Sequence, residues 1–74
     1  MTLGDLLMKC SNVDECTTVY IYDDIESWEQ DEPFIRGSSK YALRECCART
    51  PVSLFSGEEI VAGYFKRLHV LVRC

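Results

Sequence analysis

Leu3, Leu6, Leu7 and Cys10 recur at i, i+3, i+4 and i+7, which predicts a short amphipathic helix over the opening residues. Thr2 stands where a cap is needed and Asp5 falls favourably in the first turn. Ser11 and Asn12 then break the period. A helix this short has no independent stability, so its leucine stripe must rest on another element. Residues 17–22, Thr-Thr-Val-Tyr-Ile-Tyr, are β-branched and aromatic throughout and predict a strand. Alternation places Thr17, Val19 and Ile21 on one face, and Thr18, Tyr20 and Tyr22 on the other. The first set is expected to meet the leucines. The tyrosines then face solvent or a partner.

Residues 23–32 read as a long acidic connection that contains Trp28. Phe34, Ile35 and Arg36 predict a second strand paired back on the first, with Pro33 at its start, where a missing N–H donor costs nothing. Gly37, Ser38 and Ser39 form a turn and cap. A second helix follows, carrying Leu43, Cys46 and Cys47 and ending before Thr50-Pro51. In the last third, Ser56-Gly57-Glu58-Glu59 has the form of a capping box, yet Gly63 would interrupt the resulting helix within two turns. Leu68-His69-Val70-Leu71-Val72 is strand-like. The preferred reading is a hairpin, residues 59–64 pairing with 68–73 across Phe65, Lys66 and Arg67. The expected fold is a single α+β domain over residues 1–74, in the order α-β-β-α-β-β. It has a four-stranded, mainly antiparallel sheet and two short helices on one face.

Seventy-four residues leave room for one domain of modest stability. At 47% hydrophobic and 27% charged, the chain has a globular rather than a disordered balance. No apolar run reaches the ~18 residues of a membrane span, and no signal-peptide pattern opens the chain, so the expectation is a cytosolic protein. Five cysteines, an odd number, then read as reduced thiols rather than a disulfide framework. Cys74 could cross-link two copies in air. Cys10, Cys16, Cys46, Cys47, His69 and Cys74 could in number hold zinc, but no C-x2-C or H-x3-H pair is present, and no cofactor is expected.

Charge changes the picture most. Between Lys9 and Arg36 there are eight acids and no base; from Arg36 onward there are seven bases and three acids. Asp23, Asp24, Glu26, Glu29, Asp31 and Glu32 would span about 33 Å if extended, a dilute imitation of a phosphate track. Such a segment steers toward a basic groove, although a solvated loop that keeps the chain soluble has the same composition. The net charge of −4 argues against direct binding of nucleic acid or of an anionic membrane. Trp28 either folds back over the sheet or serves as an interface anchor; folding back is favoured. No catalytic residue is assigned. His69, the single histidine, falls on a strand, no nucleophile or phosphate-loop motif occurs, and so small a chain has little volume for a substrate cavity.

The opening Met1-Thr2-Leu3-Gly4-Asp5-Leu6-Leu7 and the run Val19-Tyr20-Ile21-Tyr22-Asp23-Asp24 with its acidic sequel resemble small accessory proteins of bacteriophages and prophages of Gram-positive bacteria. In that group a leading helix, a "V-x-I-x-D-D" strand, a hairpin, a second helix and a closing strand pair follow one another, and Leu68-His69-Val70-Leu71-Val72 stands where the closing strand falls. Some of these proteins, several anti-CRISPR proteins among them, are acidic inhibitors that occupy a nucleic-acid-binding surface of a host defence complex. The resemblance implies a non-enzymatic inhibitor whose partner is a host protein with a basic surface. The residues expected to carry it are the six acids of 23–32 with Trp28, Tyr20 and Tyr22. The alternative is a homodimeric assembly module that hides Tyr20 and Tyr22 between subunits.

Overall fold

The computed structural model describes residues 1–9 and 12–73. Helix α1 (Leu3–Lys9) buries Leu3, Leu6 and Leu7. The Asp5 amide donates to Thr2 Oγ1 at 3.2 Å, so Thr2 is the expected cap. The other free amides at this end find backbone partners: Leu3 N–H donates to the Thr50 carbonyl and Gly4 N–H to that of Ala48, both at 2.8 Å. A side chain at position 4 would stand 3.0 Å from Ala48, which is why the helix can lie this close only with glycine there. Cys10 and Cys74 lie outside the described residues.

Strand β1 (Thr18–Tyr22) and strand β2 (Ile35–Gly37) pair antiparallel, with Tyr20 opposite Arg36. Helix α3 (Ser39–Glu45) begins at Ser38, whose hydroxyl accepts from the Tyr41 amide. It buries Ala42 and packs Leu43 and Cys46 against the core, while Cys47 is exposed.

Four expectations are corrected, wholly or in part. The acidic connection is not a loop throughout: it contains helix α2 (Ile25–Gln30), so the order is α-β-α-β-α-β-β. Asp24 caps this helix by accepting the Ser27 amide at 2.7 Å, and Asp31 ends it in the left-handed region with φ 56°. The helices do not share one face either. Those of α1 and α3 cover the core side, whereas α2 carries Trp28 to the opposite side of the sheet, against Tyr22.

The hairpin exists, but with a different turn. Strand β3 (Val52–Val61) pairs antiparallel with strand β4 (Tyr64–Val72), and Val61 faces Tyr64 directly. The two-residue turn is Ala62-Gly63, with φ of 55° and 88°, as a type I′ turn requires. Residues 56–61 are therefore strand, not a helix start. An alanine at φ 55° is poorly placed; Ala62→Asn is expected to add about 1 kcal/mol of stability. An unchanged or lower urea midpoint would show that the turn does not limit stability.

The four-stranded sheet is present and two of its three pairings are antiparallel, but the third makes it mixed. Its order is β2-β1-β4-β3, and the central pair β1–β4 is parallel, with Val19 beside Leu68 and Ile21 beside Val70. These four side chains are fully buried and form the middle of the core under the leucines of α1. Thr17 joins them as expected, its hydroxyl donating to the Phe65 carbonyl. Strand β3 is an edge strand, exposed along nearly its whole length.

Candidate functional site

The face opposite the core is where chemistry-bearing side chains gather. Alternation along β1 and β4 turns Tyr20, Tyr22 and His69 away from the leucines. Because β1 and β4 run parallel with Tyr20 beside His69, their rings stack at 4.8 Å with planes 13° apart. On β3, Ser56 pairs with His69 and Glu58 with Arg67, which brings the Glu58 carboxylate diagonally across to the imidazole.

His69 is held at both nitrogens. Its Nδ1 lies 2.8 Å from the Tyr22 hydroxyl and its Nε2 lies 2.7 Å from Glu58 Oε2. With a neutral ring, Nε2–H donates to the carboxylate and the phenol donates to Nδ1. Neither nitrogen is left to serve a substrate, so the arrangement works as a bracket that fixes Glu58 and Tyr22. Arg67 Nη1 approaches the same Glu58 oxygen at 4.0 Å. Burial pushes the Tyr22 phenol above its ordinary value, and the nearby carboxylate of Asp31 adds to the effect. The hydrogen bond from His69 holds Glu58 below its ordinary carboxylate value; the positive charge that His69 carries when its ring is protonated, and then that of Arg67, lower it further.

The sign of that second shift makes a prediction. A carboxylate with a lowered folded-state pKa contributes stability that is present above its ordinary value of 4.5 and is lost as pH falls through the lowered one. Glu58→Gln is expected to reduce stability modestly at neutral pH, because the pair is half exposed. The gap between variant and wild type should close in acid unfolding titrations. A gap that persists in acid, where the carboxylate is protonated in both folded and unfolded chains, would mean that Glu58 acts by packing and not by charge.

Trp28 completes the wall. Its ring meets Tyr22 edge-to-face at 5.2 Å and is half-buried, so the tryptophan folds back on the sheet instead of standing free. Tyr22 is thereby buried within its own chain, with 1% exposure. Together Tyr22, Trp28, Asp31, Ser56, Glu58 and His69 line an open cleft of about 190 Å³. That is below the ~300 Å³ of common small-molecule sites and suits one chemical group rather than a whole metabolite.

The remaining acids separate by helix geometry. At 100° per residue, Glu26 and Glu29 share the side of α2 away from Trp28, while Asp24 and Asp31 lie on the packed side. Asp24 is engaged as the cap, and its carboxyl is held low by the Ser27 hydrogen bonds. Glu26, Glu29 and Glu32 are exposed, and among the described residues none has a basic group within 4 Å. From Asp24 to Asp31 the axial rise is about 10 Å, so the acids are packed more densely than an extended loop would hold them.

Of the expected site residues, the structure thus brings Tyr20, Tyr22, Trp28 and Asp31 together around His69, and sends Glu26, Glu29 and Glu32 outward. Glu58 and His69 were not expected at a site. The signal for them was the Ala62-Gly63 turn, since pairing 61 with 64 also fixes 58 opposite 67 and 56 opposite 69. Among the described residues no group of three potential ligands stands close enough to hold a metal ion, and no helix is long and apolar enough to cross a membrane.

Fold and site define a small α+β domain whose open sheet face carries an acid-lined aromatic cleft beside an acidic helix. Comparisons with protein-family models, with curated proteins and with solved structures return no match.

Proposed function

We propose that this chain is a cytosolic, non-enzymatic binding protein whose acidic side occupies a basic, nucleic-acid-binding surface on another protein. The observation that carries the reading is the outer face of α2, where Glu26 and Glu29, followed by Glu32, are exposed and unpaired among the described residues. Unneutralised like charges fixed on a helix repel one another by a few tenths of a kcal/mol each, a cost that a basic partner would reverse. The resemblance to phage accessory proteins makes a host nucleic-acid-handling defence complex, with a CRISPR effector first among them, the candidate target. Inhibition would be stoichiometric, by competition with DNA or RNA.

A homodimer is favoured by one observation of its own. The edge strand β3 exposes Leu54, Phe55, Ile60 and Val61, and such an edge is a template for pairing with a second copy. Tyr22, being covered inside its own chain, is not available for the face-to-face dimer expected from the sequence.

The test is a pull-down from host lysate at low salt under reducing conditions, with the mass of the bait measured in parallel. Recovery of one nucleic-acid-handling protein, displaced by its DNA or RNA, supports the inhibitor reading. A clean pull-down with a reductant-resistant dimer overturns it in favour of the assembly module.

A further inference from the structure

We propose that the cleft between α2 and the open sheet face is a receptor for one guanidinium group, an arginine side chain of the partner protein. The inference deepens the reading of an acidic binding surface and rests on it for the identity of the partner. Three features of the cleft converge on this chemistry. Its open aromatic wall is Trp28, half-buried and backed by the buried Tyr22, and an aromatic face attracts cations, with guanidinium stacking better than ammonium. Its charged rim is acidic, with Asp31 on one side and Glu58 on the other and no Lys or Arg among its lining residues. Its volume of about 190 Å³ is enough for a planar head group.

The bracket around His69 gives the cleft its fixed geometry. Glu58 Oε2 is taken by His69 at 2.7 Å and approached by Arg67 at 4.0 Å, while Oε1 has no hydrogen-bond partner among the described residues. One carboxylate oxygen is therefore positioned and still open to a donor. The backbone of Asp31 is fixed as the left-handed end of α2, where its amide donates to the Ser27 carbonyl. A second, wider cleft shares Tyr22, Asp31, Glu58 and His69 but adds Arg36 and Arg67, whose charges offset the two acids. A cation therefore favours the first cleft. Ser56 supplies a further hydroxyl at the same rim.

The experiment uses the intact chain and N-acetyl-arginine-methylamide, with the neutral citrulline analogue as control. Binding is read by the fluorescence of Trp28, the single tryptophan, and by the NMR shifts of the Trp28 and His69 ring protons. The expected result is saturable binding of the arginine compound with both rings perturbed, and no saturation by the citrulline compound. Glu58→Gln and Asp31→Asn should each weaken binding by about tenfold, as loss of a charged hydrogen-bond partner does. The double variant Glu26→Gln/Glu29→Gln should leave it unchanged, because those acids are on the far side of α2. Absent or non-saturable binding, equal binding of the citrulline compound, or equal weakening by the double variant would overturn the receptor. Failure here with continued partner capture in the pull-down removes the receptor alone. Success here with no partner captured removes the inhibitor reading and leaves the cleft as a guanidinium site.

Discussion

Replacing Leu68 with alanine is expected to remove a large share of the domain's stability. Leu68 has no exposed surface and sits on β4 between Val19 of β1 and Gly57 of β3, at the centre of the sheet. Truncating such a leucine costs about 2–5 kcal/mol, from lost burial and from the cavity left behind. At 0.05–0.15 kcal/mol per residue, a chain of this length commands only about 4–11 kcal/mol in all. Urea unfolding followed by Trp28 fluorescence should show a large fall in midpoint with little change in slope. The matched control is Leu54→Ala on exposed β3, expected to stay within about 0.5 kcal/mol. A loss below about 1 kcal/mol for Leu68→Ala would mean that the core can close over the gap.

The second large effect concerns association. Reversing Glu26, Glu29 and Glu32 to lysine takes the net charge from −4 to +2 and confines the change to the outer face of α2 and the residue just past its end. If that face steers the chain toward a basic groove, association with the captured partner should slow by about 10- to 1000-fold, with dissociation much less altered. Rising salt should erase most of the difference by screening the encounter. The same number of reversals at Glu15, Glu45 and Glu59 changes the net charge equally and should matter far less. Equal slowing by both sets would make net charge, not this helix face, the determinant. Asp24 is left out of the set because its carboxylate caps α2, and its loss would confuse charge with folding.

Elements with a strong local period were legible from sequence: the leucine stripe of α1, the alternation of β1 with Thr17, Val19 and Ile21 inward, and the Ser38 cap of α3. Helix α2 was not, because its six residues give fewer than two turns in which to show a period, and their acidity imitates a solvated loop. Its signal lay in the cap, with Asp24 three residues before Ser27. Gly63 drew attention as a helix breaker when it is the second residue of a turn, and Ala62 hid that turn because alanine rarely takes a positive φ. The parallel β1–β4 pair could not be read from any window, since its partners are 49 residues apart, as Val19 and Leu68 show. The cleft inherits that non-locality. Asp31, Tyr22, Glu58 and His69 come from four separate segments, and no spacing motif links them.

That same central pair governs when the molecule can come into being. Strand β4 occupies the interior of the sheet although it is the last of the seven described elements to be synthesised. Until it arrives, β1 has only the three residues of β2 to pair with, β3 has no neighbour, and the leucines of α1 have half a floor to lie on. Without β4, Val19, Ile21 and the leucines of α1 lack the cover that Leu68, Val70 and Val72 provide, so the core is completed only by a late step. Long-range closure of this kind is slow for a chain this small, and the interval of waiting is when chaperones and proteases have their access.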